Sequence, residues 1–146
     1  MALKVELKPG ERIILGDAVI TNADQRTRLV IEGETPILRE KDIMTVRLAD
    51  SPAKRIYLAI QLMYTSKDQQ AHHEIYFKLL QEFLRAAPSA WPLVENINNL
   101  ILTGEMYKAL KVARRLIAYE TELLDNAKRG TRVRSDSEAD RKSSPA

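Results

Sequence analysis

Across residues 36–43, Pro-Ile-Leu-Arg-Glu-Lys-Asp-Ile, the chain changes its hydrophobic period. Before this octapeptide apolar residues recur every second position, as on a strand with one buried face. After it they recur at three and four, as on a helix. A chain that switches period once is confined to α+β architectures in which sheet and helices are segregated along the sequence.

The upstream part reads as five short strands. Leu3, Val5 and Leu7 alternate with Lys4, Glu6 and Lys8 until Pro9-Gly10. The β-branched run Arg12–Leu15 is closed by Gly16-Asp17, and Ala18–Thr21 is closed by Asn22-Ala23-Asp24. Residues 26–31 end at Glu32-Gly33-Glu34, and Pro36 leads into Ile37–Arg39. Gly, Pro, Asn and Asp between β-rich runs are the turn chemistry of a small antiparallel sheet. A module of roughly 40 residues buries too little surface to outweigh its chain entropy without metal, disulfides or a partner surface. The chain has no cysteine, so that surface must come from the helical half, a second copy, or both. A second copy entwined through the sheet would cover Leu3, Val5, Ile13 and Leu15, which makes a homodimer the expected state.

Residues 40–50 are mixed and read as a short strand or an irregular linker. Ser51-Pro52 then opens a helix, serine as N-cap and proline at the first helical position. Ile56, Ala59, Ile60 and Met63 form its apolar face, widened by Leu58 and Leu62. A second helix spans 69–87 with Ile75, Tyr76, Leu79, Leu80, Phe83 and Leu84, and Pro88-Ser89 stops it. A third begins at Trp91-Pro92, carries Val94, Ile97, Leu100 and Ile101, and ends at Gly104. A fourth runs from Glu105 to about Asn126 with Met106, Leu110, Ala113, Ile117 and Leu124 inward. Short loops make these helices antiparallel neighbours in a bundle. Three regions result: a β-module over 1–50, a four-helix part over 51–127, and a basic tail over 128–146, where Val133 is the one large apolar residue and no fixed structure is expected.

Charge restricts the partners. The net charge is +3, and residues 128–146 hold six basic and three acidic residues, so the rest of the chain is balanced. A neutral body cannot hold a polyanion by bulk charge, and a nucleic acid would need a local basic patch, the tail, or both. The N-terminus has charges at alternate positions and no apolar h-region, and no later run reaches the ~18 apolar residues of a membrane span. The expectation is an unexported, cytoplasmic protein with no membrane partner.

Catalytic signals are absent. His72 and His73 beside Glu74 are adjacent on a helix, ~100° apart, and cannot converge on one ion as histidines four apart do. There is no phosphate-cradling glycine loop and no nucleophile elbow, so neither an enzyme, a metal nor a cofactor is expected. Two basic sets remain. Lys108, Lys111 and Arg115 share one face of the fourth helix and could meet phosphates, or could be a solvated face balanced by nearby acids. On the strands, Lys4 and Lys8 share the non-core face of the first, Arg26 and Arg28 one face of the fourth, and Arg39 closes the fifth; lysine and arginine there also serve simply to block edge aggregation.

Residues 8–22, Lys-Pro-Gly-Glu-Arg-Ile-Ile-Leu-Gly-Asp-Ala-Val-Ile-Thr-Asn, closely resemble the FlbT family of flagellar regulators of alphaproteobacteria. The likeness continues through Gln25-Arg26-Thr27-Arg28-Leu29, the octapeptide with Met44, Pro52-Ala53-Lys54-Arg55-Ile56-Tyr57, Glu95-Asn96-Ile97-Asn98-Asn99, Gly104 and Tyr107-Lys108-Ala109-Leu110-Lys111, covering about residues 2 to 125. It implies a post-transcriptional regulator that associates with the 5′ untranslated region of flagellin mRNA and represses it by promoting its decay, with FlaF-like proteins as companions and a positive effect in some members. A second resemblance, carried by Gly10-Glu11, Leu15-Gly16-Asp17, Pro36, Arg39-Glu40 and Ile43, is to the CsrA/RsmA translational regulators. These are homodimers of five-stranded modules whose first and last strands pair across the dimer to grip a GGA-containing RNA loop. Carried over by position, RNA contacts fall on Val5, Leu7, Lys8, Ile37 and Arg39, with Lys4 beside them. Leu7 stands where that family has arginine and Pro9 where it has valine. Together these resemblances imply an RNA-binding repressor with a CsrA-like module on a helical bundle. The competing class is a protein-interaction adaptor or chaperone whose helical grooves hold a flagellin or FlaF-like helix.

Overall fold

The computed structural model describes residues 2–140, and side chains throughout except at position 69 and at 130–140. Five strands come first: β1 (Ala2–Leu7), β2 (Arg12–Leu15), β3 (Ala18–Thr21), β4 (Thr27–Glu32) and β5 (Ile37–Arg39). Four helices follow: α1 (Pro52–Thr65), α2 (His73–Ala86), α3 (Trp91–Leu102) and α4 (Met106–Asp140), with 3-10 turns at Glu40–Asp42, Gln69–His72 and Pro88–Ala90. The α+β class read from the periodicity is the one observed.

The strands form two antiparallel sheets, β1-β4 and β3-β2-β5. In the first, Val5 faces Leu29 and Leu3 faces Ile31 in register. In the second, β2 is central, Ile13 lying opposite Ile20 of β3 and Arg39 of β5. The hairpin between β2 and β3 turns on Gly16-Asp17. Gly16 adopts φ +61°, its N–H bonds the Pro36 carbonyl at 2.8 Å, and a Cβ there would meet Thr35 Oγ1 at 2.9 Å. Only glycine accepts both the left-handed backbone and the close approach.

Alternation along β2 and β5 makes the structure three layers deep. Ile13 and Ile37 point to one side, against Val5, Leu7, Leu29 and Ile31 of the β1-β4 sheet. Their sequence neighbours Ile14 and Leu38 point to the other, into the helical core with Ile43 and Met44. Strands β2 and β5 are thus covered on both faces while β3 stays exposed, and burying a side chain such as Leu38 (1% exposed) contributes about 1.5–3 kcal/mol to holding the layers together.

The helical core is filled by Ile56, Ile60, Met63, Tyr76, Leu80, Phe83, Val94, Ile97, Leu110 and Leu116. Ser51 caps α1 as its position before Pro52 predicts, its Oγ accepting from the Lys54 N–H at 3.3 Å. The same hydroxyl donates to Glu120 Oε1 at 2.6 Å, and Glu120 Oε2 accepts from the Ala53 N–H at 2.9 Å. A buried carboxylate of α4 therefore caps the N-terminus of α1, where unpaired N–H groups and the helix dipole favour a negative charge.

Several expectations change. The second helix begins at His73, the preceding turn being 3-10. Leu124 is 54% exposed, whereas Ala109, Val112 and Leu116 are buried with Met106 and Leu110. The 128 boundary falls inside α4, which continues to Asp140; from 128 to 140 the sequence has good helix formers, one glycine and no proline. Residues 141–146 of the expected tail lie outside the described residues. Val5 and Ile13 are 3% and 0% exposed within one chain, so they need no second copy to cover them, while Leu3 remains 37% exposed.

Burial raises the pKa of the phenols of Tyr57 and Tyr76 above the ordinary tyrosine range. Each phenol carries its charge only when deprotonated, so its contribution to stability is complete below about pH 10 and is lost as pH climbs toward the folded-state value. Urea-unfolding midpoints followed from pH 8 to 11 should fall more steeply above pH 10 in the wild type than in Tyr76→Phe, which lacks one of the two ionisations.

Candidate nucleic-acid interface

Residues 41–44 join sheet to bundle, and side chains of two helices hold them by their backbone. Tyr57 of α1 donates its hydroxyl to the Asp42 carbonyl at 2.6 Å. Gln61 of α1, buried, donates to the Met44 carbonyl at 3.0 Å and accepts from the Met44 N–H at 2.7 Å. Arg114 of α4 donates to the Lys41 carbonyl at 2.5 Å and to Asp42 Oδ1 at 2.8 Å, and its guanidinium lies 5.6 Å from the Tyr57 ring centroid. Lys111 Nζ stands 3.9 Å from the same carboxylate and 4.9 Å from the Tyr107 ring centroid. Asp42, 5% exposed, has two cations around it.

That arrangement decides the local electrostatics of Arg39. Its two acidic neighbours are both engaged elsewhere: Asp42 turns to α4, and Glu40 accepts from the Arg12 N–H at 3.1 Å and pairs with the Arg12 guanidinium at 3.4 Å. Arg39 itself is exposed and, among the described residues, has no ion-pair partner. A guanidinium freed from nearby carboxylates keeps its planar fork for another acceptor.

The other candidate residues divide. Lys8 is exposed at the end of β1, its N–H bonded to Glu11 Oε1 at 2.8 Å and its carbonyl accepting from Asn22 at 3.0 Å. No hydrogen bond or ion pair joins it to Arg39 among the described residues. Lys4 lines a shallow cleft with Glu6 and Arg28. Glu6 pairs with Arg26 and lies 3.6 Å from Arg28, and chiefly its bond to Arg26 lowers its pKa below the usual carboxylate range. Val5 is core and Ile37 half-buried against it, so Val5 offers a ligand only its main chain. Leu7, 2% exposed, belongs to the same cluster.

On α4 the basic stripe is largely engaged. Lys108 pairs with Glu105 at 3.2 Å and Lys111 faces Asp42, leaving Arg115 exposed and, among the described residues, without an ion-pair partner. Arg114, outside the stripe, makes the structural contact. Its role is not readable from helical spacing, because the acceptor lies 72 positions away. Glu120 is hidden for the same reason.

Among the described residues no group of three or more His, Cys, Asp or Glu converges to hold a metal. His72 lines an apolar groove and His73 meets the Phe77 ring edge-on at 6.4 Å. No described helix is long and apolar enough to cross a membrane.

Within one chain β1 pairs with β4, and β5 with β2. Among the described residues both β1 and β5 are outer strands of their sheets, each with one unpaired edge.

A family model described as "Flagellar protein FlbT" matches residues 3–124. The chain belongs to the FlbT family. It is 61% identical over 124 residues to a "Probable flagellum biosynthesis repressor protein FlbT 1" of Bradyrhizobium diazoefficiens, covering 84% of this chain and 85% of the relative. A relative in Rhodopseudomonas palustris is 50% identical, covering 85% and 98%. The "Flagellum biosynthesis repressor protein FlbT" of Caulobacter vibrioides is 35% identical, covering 93% and 99%. No solved structure matches the chain.

The clamp on residues 41–44 should be energetically unequal. Replacing Arg114 by Ala leaves a buried carboxylate and a carbonyl without their closest donor, and should lower unfolding stability by about 2 kcal/mol. Lys111→Ala, at longer range and more exposed, should cost under about 1 kcal/mol. Urea denaturation of the two variants against wild type checks the order.

Proposed function

We propose that the protein is a non-enzymatic, cytoplasmic repressor of flagellin synthesis that binds the 5′ untranslated region of flagellin mRNA and promotes its degradation. The repressor part is supported by the names its relatives carry. The RNA-binding part rests on one observation: Arg39 is exposed at the end of β5 with both neighbouring acids drawn onto other cations. Two copies joined along the open edges of β1 and β5 would form one continuous sheet and satisfy backbone groups that the single chain leaves unpaired. Lys8 and Arg39, both at strand ends, would then come together at the seam with Lys4 nearby on β1, giving RNA a basic cluster that neither sheet presents alone.

A second reading, that of an adaptor for a FlaF-like protein or for flagellin, is supported by a different feature. Leu79, Phe83, Leu123 and Leu124 line a groove of about 300 Å³ among α1, α2 and α4. It continues past Arg55 and Leu79 into an apolar hollow of about 250 Å³ with Leu58, Leu62 and Ile75. An amphipathic helix fits such a surface.

RNA binding should weaken steeply with salt and fall roughly tenfold to a hundredfold on Arg39→Ala, and likewise on Lys8→Ala. Fluorescence anisotropy with the flagellin leader, at several salt concentrations, measures both. Binding indifferent to salt and to Arg39 would favour the adaptor. Sedimentation at micromolar concentration should give twice the 16.6 kDa chain mass; a monomer would remove the joined sheet.

A further inference from the structure

A cleft of about 380 Å³ opens where the sheet meets the bundle, on the side of β5 that carries Arg39. Arg39 and Lys41 line it from the junction, and Tyr64 of α1 and Tyr107 of α4 from the helices. The two rings stand 6.4 Å apart between centroids and are tilted by 44°. Tyr107 is 41% exposed, and Lys111 Nζ lies over its ring at 4.9 Å. Asp42 also borders the cleft, but Arg114 at 2.8 Å compensates its charge.

Such a wall combines two kinds of contact. Tyr107, exposed, and Tyr64, half-buried beside it, offer ring surface against which any base can stack, and the two cations suit the phosphate that follows a base along a strand. Apolar peptide segments would leave Arg39 and Lys41 unused, and a free phosphate would leave the rings unused. Bases within a duplex are already stacked on one another, so the ligand class that uses every group is an unpaired nucleotide.

We propose that this cleft receives an unpaired base of the bound RNA, stacked on Tyr107 and Tyr64, with its phosphate held by Arg39 and Lys41. The proposal rests on the RNA-binding reading and deepens it: the helical half then contributes directly to recognition. It also separates the protein from a bare β-module, because α1 and α4 supply the stacking surface.

The test measures anisotropy of labelled flagellin leader RNA with wild type, Arg39→Ala, Tyr107→Ala and Tyr107→Phe, each first compared by thermal melting. Tyr107→Ala should weaken binding roughly fivefold to a hundredfold, the range for losing one stacked base, while Tyr107→Phe keeps most of the affinity because stacking needs no hydroxyl. Ultraviolet crosslinking of the wild-type complex, mapped by mass spectrometry, should place RNA on the peptides of Tyr64 or Tyr107, and this readout does not depend on any variant folding. If Tyr107→Ala binds as wild type while Arg39→Ala is weakened, the cleft is overturned and RNA binding stands. Crosslinks confined to other residues, or absent, overturn the cleft as well. If wild type binds no leader RNA, both readings fall.

Discussion

The peptide from Lys41 to Met44 is the hinge on which the fold depends, and what immobilises it is a set of hydrogen bonds made by helix side chains to its main chain. Tyr57, Gln61 and Arg114 supply groups that a neighbouring strand would otherwise supply. Irregular backbone at a buried junction is costly unless each N–H and carbonyl finds a partner. Here the partners come from α1 and α4 together, so both helices build the seat of the sheet. Glu120 ties the same two helices at the start of α1. A small sheet in a chain without cysteine thus obtains its support from the bundle.

The same contacts shape the functional face. Glu40 and Asp42 alternate with Arg39 and Lys41, a pattern that would cancel locally if all four side chains stayed in place. Arg12 draws one acid toward the sheet and Arg114 draws the other toward the helix. Structural ion pairs formed by two acids leave two cations on the cleft. On α4 the reverse happens, since Glu105 and Asp42 engage Lys108 and Lys111. Charge available to a ligand is therefore set by pairing across the structure and not by the count of basic residues along any one element.

Much of the architecture was readable from the residues alone. Period-two alternation with Pro-Gly, Gly-Asp and Asn-Ala-Asp punctuation locates all five strands to within a residue, because a turn and a change of face are local events. Ser51-Pro52 marks the start of α1 for the same reason. Limits appear where several answers satisfy the local rules. Leu124 fits the apolar stripe of the fourth helix as well as Leu116, yet it lies on the wall of an open groove beside α2 and stays exposed. Residues past 128 have too little apolar surface for a core but no proline to end a helix, and α4 continues.

For the site, the sequence by itself determined that Arg39 closes the last strand, that Lys8 lies at the end of the first, and that Tyr107, Lys108 and Lys111 stand on one helix. Those statements follow from chain position and helical or strand spacing. Only the tertiary structure decided which of these groups are engaged, because Arg114 meets Asp42 and Glu40 meets Arg12 across 72 and 28 positions. It also buried Val5 and Leu7, and it brought Tyr64 and Tyr107 beside Arg39 on one cleft. Local spacing sets which way a side chain leaves its own element; what it meets depends on how separate elements pack, and that is a property of the whole folded chain.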